Sequence, residues 1–162
     1  MAFRVLVTDD VDPEGLALLA AEPQLLVDEV PTLPKDELLR RIGEYDAIVG
    51  RSATRISAEL LRAATKLRVV GRAGVGVDNV DVDAATRHGV IVMNTPGGNT
   101  ISTAEHAFSL LVSIARNIPQ ADASIKAGKW DRKKYEGVEL YNKTLGILGM
   151  GRIGTELARR AM

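Results

Sequence analysis

Short apolar segments alternate with helical segments over about the first 95 residues, and this alternation restricts the possible folds more than any other feature. The helical segments open on typical capping residues, among them Asp12 with Pro13 behind it, Ser57 and Asp81. Strands that alternate with helices at this spacing predict a parallel, doubly wound α/β sheet. The predicted strands are Phe3–Thr8, Leu25–Val30, Ala47–Gly50, Leu67–Gly71 and Val90–Met93.

Two arginines come directly after predicted strands, Arg51 after the third and Arg72 after the fourth. Ligands of doubly wound sheets bind at the carboxyl ends of the strands, and guanidinium groups bind carboxylates and phosphates bidentately. An anion site is therefore one interpretation, and a pair of solvated surface arginines is the other. The remaining candidate residues beside the two arginines are Ser52, Thr54, Gly74, Val75 and Gly76.

The pattern changes after Met93, where a turn-rich segment leads into long helices. Ser102 and Glu105 have the spacing of a capping box, which predicts a helix over 104–118 and, beyond Pro119, a further helical segment. The first of these helices is more apolar than a one-sided surface helix needs, so we expect it to pack on its own domain and on a second subunit. The predicted domains are residues 1–96 and 97–162.

A glycine motif, Gly149-x-Gly151-x-x-Gly154, lies near the end of the chain. It follows an apolar run, Thr144–Leu148, and precedes a good helix-forming segment, Thr155–Met162. Strand, glycine turn and helix together predict a site for a dinucleotide pyrophosphate, although a tight turn without a ligand would look the same. The acidic residue that binds the ribose is expected about 20 residues further on, beyond the last residue of the chain.

Composition excludes several classes of protein. The chain has 21 basic and 21 acidic residues and no cysteine, which argues against nucleic-acid binding, disulfides and cysteine-ligated metals. The first residues do not resemble a signal peptide and no apolar run is long enough for a membrane helix, so a cytoplasmic protein is expected. His88 and His106 have no evident carboxylate partner, so neither is a candidate catalytic base and no metal site is predicted. Arg132, with Lys133 and Lys134, forms a basic cluster whose ordinary interpretation is solvated surface charge.

Several segments follow one another along the chain: Arg51–Thr54, Gly71–Asn79, Val92–Pro96, Gly128–Trp130 with Arg132–Lys134, and Lys143–Gly154. In this order they resemble the NAD-dependent D-2-hydroxyacid dehydrogenases that act on 3-phosphoglycerate. The resemblance implies a flavodoxin-like substrate domain, of which 1–96 is the first segment, and the start of a Rossmann NAD-binding domain in 97–162. It also implies a homodimer or homotetramer formed through the 102–118 helix region.

The resemblance also implies roles for individual residues in the oxidation of 3-phosphoglycerate to 3-phosphohydroxypyruvate, the first step of serine synthesis. Arg132 would reach the substrate phosphate in a neighbouring subunit. The cofactor NAD would have Val75 near its nicotinamide, and its pyrophosphate on Gly149, Gly151, Arg152, Ile153 and Gly154. The substrate contacts would be Arg51, Ser52, Thr54, Arg72, Gly74, Gly76 and Asn99.

The chain departs from this family in one large respect, because the residues that transfer the proton would lie in a half that it lacks. No catalytic residue is therefore assigned, and the chain is expected to be inactive alone. Two alternatives stay open: a D-2-hydroxyacid dehydrogenase for glycerate, hydroxypyruvate or lactate, and a non-catalytic oligomerisation fragment.

Overall fold

The computed structural model describes residues 2–162, which divide into two compact units between Gly98 and Asn99. The division lies close to the predicted boundary between residues 96 and 97, and the functions assigned to the two parts stay predictions. No helix within residues 2–162 combines the length and the apolar character needed to cross a membrane.

The first unit is built on a parallel sheet whose strands are β1 (Phe3–Val7), β2 (Leu25–Glu29), β3 (Ala47–Gly50), β4 (Val69–Arg72) and β5 (Ile91–Asn94). Their order across the sheet is β2-β1-β3-β4-β5. This is the order of flavodoxin-like sheets, so the predicted fold class is confirmed.

The fourth strand begins later and ends later than the sequence predicts. The backbone N–H of Leu67 donates to the carbonyl of Ala64 at 3.1 Å, which holds Leu67 in a turn and delays the strand. At its other end β4 includes Arg72, which pairs with Asn94 of β5. Arg72 is therefore the last residue of its strand rather than the first residue after it.

Four helices connect the strands: α1 (Pro13–Ala20), α2 (Lys35–Arg41), α3 (Ala58–Ala63) and α4 (Val82–Arg87). The three predicted caps are confirmed, since Asp12, Ser57 and Asp81 each accept a hydrogen bond from a backbone N–H in the first turn of the helix that follows. A short 3-10 turn over Ile42–Glu44 extends α2. The three side-chain caps fix the points at which α1, α3 and α4 begin.

The hydrophobic core lies between the sheet and helices α2, α3 and α4. Leu6, Ile48 and Val70 supply the sheet side of this cluster and are at most 2% exposed. The helices contribute Leu38, Leu60, Leu61, Ala84 and Ala85. Because the central strands are anchored in this core, the loops at their carboxyl ends start from fixed positions.

The second unit contains three helices, α5 (Thr100–Ala115), α6 (Ile118–Lys126) and α7 (Arg152–Ala161), with a 3-10 turn over Arg132–Tyr135 between the last two. α5 packs against α7. Arg160 of α7 also forms a salt bridge of 3.1 Å with Glu105 of α5.

The predicted capping box at the start of α5 is wrong. The helix begins at Thr100, so Ser102 lies inside its first turn, where its hydroxyl donates to the carbonyl of Asn99 at 3.2 Å. Asn99 occupies the N-cap position itself, where asparagine is favoured. α5 then ends before the predicted position 118, because Asn117 adopts a left-handed conformation with φ of 52° and starts a new helix.

The predicted strand over Thr144–Leu148 is not formed. Among residues 2–162 no strand pairs with this segment, and the side chain of Leu148 is fully exposed. An isolated strand has no partner for its backbone hydrogen bonds and is not stable in water. The apolar pattern therefore predicted a strand for which the described residues supply no partner strand.

Candidate functional site

The two arginines singled out from the sequence lie at one edge of the sheet. Arg51 follows Gly50, the last residue of β3, and Gly50 pairs with Arg72 at the end of β4. The backbone N–H of Ala73 also donates to the carbonyl of Gly50 at 2.8 Å. Neighbouring parallel strands thus bring both arginines to their carboxyl ends, where ligands of such sheets bind.

Neither of these guanidinium groups is neutralised within the described residues. In residues 2–162 no carboxylate oxygen forms a salt bridge with Arg51 or Arg72, and neither side chain donates a hydrogen bond. Arg51 is exposed, whereas Arg72 is half-buried. A guanidinium group keeps its charge at any ordinary pH, so a half-buried one without a partner favours a bound anion.

The position of the Arg72 side chain depends on Gly74. A Cβ atom at position 74 would overlap Nη1 of Arg72 and crowd its Cζ, so the guanidinium occupies space that only glycine leaves open. Two further contacts fix the loop: Thr95 N–H donates to the Gly74 carbonyl at 2.9 Å, and Asn94 Nδ2 donates to the Val75 carbonyl at 2.7 Å. The predicted residues Gly74, Val75 and Gly76 therefore form one loop at the edge that carries Arg72.

Asp9 organises the loop that carries Arg51, and the sequence interpretation missed it. Its Oδ2 accepts hydrogen bonds from the backbone N–H groups of Arg51, at 2.9 Å, and Thr54, at 2.8 Å. Its Oδ1 accepts from the hydroxyls of Thr54, at 2.7 Å, and Thr32, at 2.8 Å. Asp9 lies just beyond β1 at the same edge of the sheet, and a place directly after an apolar strand is the sequence signal that it shares with Arg51.

The hydrogen bonds keep Asp9 ionised although it is buried. Burial alone would raise the pKa of the Asp9 carboxyl, but the hydrogen bonds from Thr54, Thr32 and the backbone outweigh burial and lower that pKa below its ordinary value. Asp9 is also left-handed, with φ of 68°, a conformation that aspartate tolerates better than most residues. The carboxylate is thus a fixed acceptor that shapes the loop around Arg51.

Thr54 and Ser52, the hydroxyl residues predicted to contact substrate, have different surroundings. Thr54 is buried, and its hydroxyl lies 2.7 Å from Asp9 and 3.0 Å from the hydroxyl of Thr8. Ser52 is exposed on the same loop. The observed contacts give Thr54 a role in holding the loop, and direct contact of either hydroxyl with a substrate stays a prediction.

The glycine motif forms a tight turn at the start of α7. Gly149 has a φ of 101°, which favours glycine, and a Cβ at Gly154 would overlap the carbonyl oxygen of Gly149. Nothing lies within 4 Å of the position that a Cβ at Gly151 would take. α7 begins at Arg152, three residues earlier than predicted, so Gly154 packs against the turn rather than against a strand.

This turn has the properties expected of a pyrophosphate cradle. The first helical hydrogen bond runs from Thr155 N–H to the carbonyl of Gly151 at 2.9 Å, so the N–H groups of Arg152, Ile153 and Gly154 have no partner inside the helix. Open space beside Gly151 and the positive end of the helix dipole suit a phosphate group. The predicted cofactor residues are therefore brought together, and binding of NAD to them stays a prediction.

The last two predicted site residues lie elsewhere in the second unit. Asn99 is exposed at the N-cap of α5, where its side chain makes no capping hydrogen bond. Arg132 is exposed at the start of the 3-10 turn, next to Trp130, whose side chain is 75% exposed. Their predicted roles toward substrate stay predictions.

The histidines and acidic residues give no sign of a metal centre. His88 is exposed at the C-cap of α4, and His106 is exposed on α5. Within residues 2–162 no group of three or more His, Asp or Glu side chains is arranged to hold a metal ion.

Known proteins are similar to this chain in sequence and in fold. The family model for D-isomer specific 2-hydroxyacid dehydrogenase, catalytic domain, matches residues 5–162. The D-3-phosphoglycerate dehydrogenase of Archaeoglobus fulgidus is 50% identical over 158 residues, which are 98% of this chain and 30% of that protein. The chain therefore spans less than a third of that relative's length.

Solved structures agree with this relationship. The TT0316 protein from Thermus thermophilus has a TM-score of 0.89 at 37% identity, covering 98% of this chain and 52% of that one. The NAD-dependent formate dehydrogenase from Staphylococcus aureus, in complex with NAD, has a TM-score of 0.84 at 27% identity, covering 97% and 52%. Because the family model matches residues 5–162, and these relatives agree with it, the chain belongs to the D-isomer specific 2-hydroxyacid dehydrogenases.

Proposed function

We propose that the complete protein oxidises 3-phosphoglycerate to 3-phosphohydroxypyruvate with NAD, the entry to serine synthesis. The observation that carries this proposal is the pair of unneutralised guanidinium groups, Arg51 and Arg72, on adjacent strand ends. The substrate carries a carboxylate and a phosphate, and each is an anion that a guanidinium binds bidentately. The similarity to D-3-phosphoglycerate dehydrogenase of Archaeoglobus fulgidus supports the choice of substrate.

NAD is the proposed cofactor, and the turn at the start of α7 fits its pyrophosphate. The backbone N–H groups of Arg152, Ile153 and Gly154 would hold the phosphates, and the glycines at 149 and 151 leave room for close approach. Val75 would lie near the nicotinamide. The bound cofactor would accept a hydride from the substrate carbon that carries the hydroxyl. The similarity to a formate dehydrogenase solved with NAD supports this assignment.

The proton acceptor of this reaction is proposed to lie outside these 162 residues. Neither His88 nor His106 has a hydrogen bond to a carboxylate within the described part of the chain, and both are exposed, His88 at the C-cap of α4 and His106 on α5. A catalytic base needs such an orienting partner and a place beside the reacting atom. The chain alone is therefore expected to be inactive.

A second copy of the protein is the proposed partner. α5 exposes apolar side chains that a monomer leaves in water: Ile101 is 50% exposed, Leu110 50% and Ile114 76%. A homodimer or homotetramer through the 102–118 helix region would cover them. Arg132 and Asn99 are proposed to contact substrate, with Arg132 reaching the phosphate in the neighbouring subunit. A cytoplasmic location is also proposed, and the absence of cysteine is compatible with it.

Turnover by the complete purified protein tests this function. NADH formation would be followed with 3-phosphoglycerate, D-glycerate and D-lactate at matched concentrations. A preference for 3-phosphoglycerate supports the proposal, and a preference for an unphosphorylated acid would replace it with another D-2-hydroxyacid dehydrogenase. Absence of turnover with all three acids, in a protein that still oligomerises by light scattering, would favour the non-catalytic oligomerisation module.

A further inference from the structure

Two buried polar atoms in the first unit lack a hydrogen-bond partner among the described residues: Nε of Arg72 and Oδ1 of Asn79. Both residues line one cavity of about 10 Å³ between the ends of β3 and β4. One atom is a donor and the other an acceptor, and the structure contains no direct hydrogen bond between them. Buried polar groups in folded proteins almost always have a partner, so the pair requires an explanation.

The orientation of the Asn79 side chain is fixed by its other end. Nδ2 donates to two backbone carbonyls of the loop after β3, that of Arg51 at 2.9 Å and that of Thr54 at 2.7 Å. Only the amide nitrogen can donate to carbonyls, so Oδ1 is the atom left in the cavity. The backbone of Asn79 is also anchored, since its carbonyl accepts from Ile56 N–H at 2.9 Å.

The cavity has the size and chemistry for one water molecule. A water needs roughly 10–15 Å³ of accessible volume and two to four polar partners. It can accept a hydrogen bond from the Arg72 Nε–H and donate one to Asn79 Oδ1, which satisfies both atoms at once. The remaining lining includes apolar side chains such as Ile48 and Val70, and both polar atoms are themselves buried.

We propose that Asn79 is a positioning residue for both arginines of the anion site, directly for Arg51 and through one buried water for Arg72. This inference rests on the proposed function for the identity of the anion. Asn79 joins the loop after β3 to the segment after β4, so the backbone of Arg51 and the guanidinium group of Arg72 keep a fixed separation. The water occupies the Nε–H of Arg72 and leaves both Nη nitrogens for the substrate.

Nuclear magnetic resonance on the 162-residue chain tests the water bridge without any substrate. The Nε–H proton of Arg72 should give a resolved signal that exchanges slowly with solvent. Asn79→Ala should accelerate this exchange, because it removes the acceptor that holds the water. Asp78, the exposed residue before Asn79, supplies the control: Asp78→Asn should leave the exchange of the Arg72 Nε–H proton unchanged. Rapid exchange of this proton in the unaltered chain would overturn the bridge, whatever the variants do.

Kinetics of the complete protein test the positioning role. Asn79→Ala should raise KM for 3-phosphoglycerate by about tenfold, comparable to the loss of one hydrogen bond to a charged group, and leave KM for NAD unchanged. Asn79→Asp should also raise it, because a carboxylate cannot donate to the two carbonyls that hold the Arg51 loop. In an Arg72→Ala background, Asn79→Ala should have a smaller effect, since one of the groups that it positions is absent.

The outcomes separate this inference from the proposed function. If Arg72→Ala raises KM for 3-phosphoglycerate and Asn79→Ala does not, the function stands and the role of Asn79 is wrong. If Arg72→Ala itself has unaltered kinetics, the anion site of the proposed function is wrong. Equal changes in the KM values of substrate and NAD on Asn79→Ala would indicate general destabilisation and would also reject the positioning role.

Discussion

Replacement of Asp9 by asparagine should loosen the loop that carries Arg51 without changing the shape of the side chain. The carboxylate accepts four hydrogen bonds, two from backbone N–H groups and two from the hydroxyls of Thr54 and Thr32. An amide at this position offers only one oxygen as an acceptor. Its NH₂ group takes the place of the other carboxylate oxygen and faces hydrogen-bond donors. Asp9→Asn therefore weakens every one of these contacts.

The magnitude follows from the number and type of these bonds. A hydrogen bond to a charged group contributes about 1.5–3 kcal/mol and a neutral one about 0.5–1.5 kcal/mol, so each contact loses roughly 1 kcal/mol. The neutral amide is easier to bury than the carboxylate, which offsets about half of that loss. We expect Asp9→Asn to lower the free energy of unfolding of the first unit by about 2 kcal/mol at neutral pH.

The pH dependence has a definite sign. Because the pKa of Asp9 is lowered on folding, its stabilising contribution is fully present above the unfolded pKa of about 3.9 and is lost as pH falls through the folded pKa. The difference in stability between the unaltered chain and Asp9→Asn should therefore be largest near neutral pH and shrink below about pH 4.

Hydrogen exchange of backbone amides measures both effects and separates the two units. The amides of Arg51 and Thr54 should exchange faster in Asp9→Asn, and those of β1 should report the change in overall stability of the first unit. Asp10→Asn is the matched control, since Asp10 is an exposed neighbour that is also left-handed, with φ of 48°. If both variants protect these amides as well as the unaltered chain does, Asp9 does not hold the loop.

Three further predictions follow from the second unit. The isolated chain should show no NAD-dependent oxidation of 3-phosphoglycerate and should bind NAD more weakly than micromolar, and calorimetry giving micromolar affinity would contradict this. Gly154→Ala should distort the start of α7 and reduce the helical circular dichroism signal, because its Cβ meets the Gly149 carbonyl. Gly151→Ala should preserve the fold and weaken NAD binding in the complete protein. In the complete protein Arg132→Ala should raise KM for 3-phosphoglycerate but not for D-glycerate, and Lys133→Ala is the control. Equal changes in KM for both acids would mean that Arg132 is a solvated surface residue without a role at the phosphate.

Local sequence patterns were sufficient for the first unit. Buried parallel strands are largely apolar runs, and three helices, α1, α3 and α4, each open on a residue that caps them, as Ser57 does for α3. Both signals lie within a few residues of the structure that they predict. Arg51 and Arg72 could be placed at one edge for the same reason, because parallel strands end together.

Features that depend on distant partners could not be predicted in this way. Thr144–Leu148 has the composition of a strand, yet strand formation requires a neighbour that local sequence does not reveal. The position of Asp9 after β1 follows from the sequence, but its contacts do not, because the backbone groups of Arg51 and Thr54 lie more than 40 residues away. Asn79 was noticed only as part of a glycine-rich segment, since its contacts with the loop after β3 appear only in three dimensions.

We propose that the two unneutralised guanidinium groups at the ends of β3 and β4 bind the substrate anion. The most direct test is kcat/KM for 3-phosphoglycerate in the complete protein carrying Arg51→Ala or Arg72→Ala, with Arg62→Ala on the exposed surface of α3 as control. Loss of about 1.5–3 kcal/mol per arginine predicts a decrease of roughly 10–150-fold for each site variant, with KM for NAD unchanged and Arg62→Ala unaffected. Unaltered kcat/KM in both site variants would show that these arginines are surface residues and that the substrate binds elsewhere.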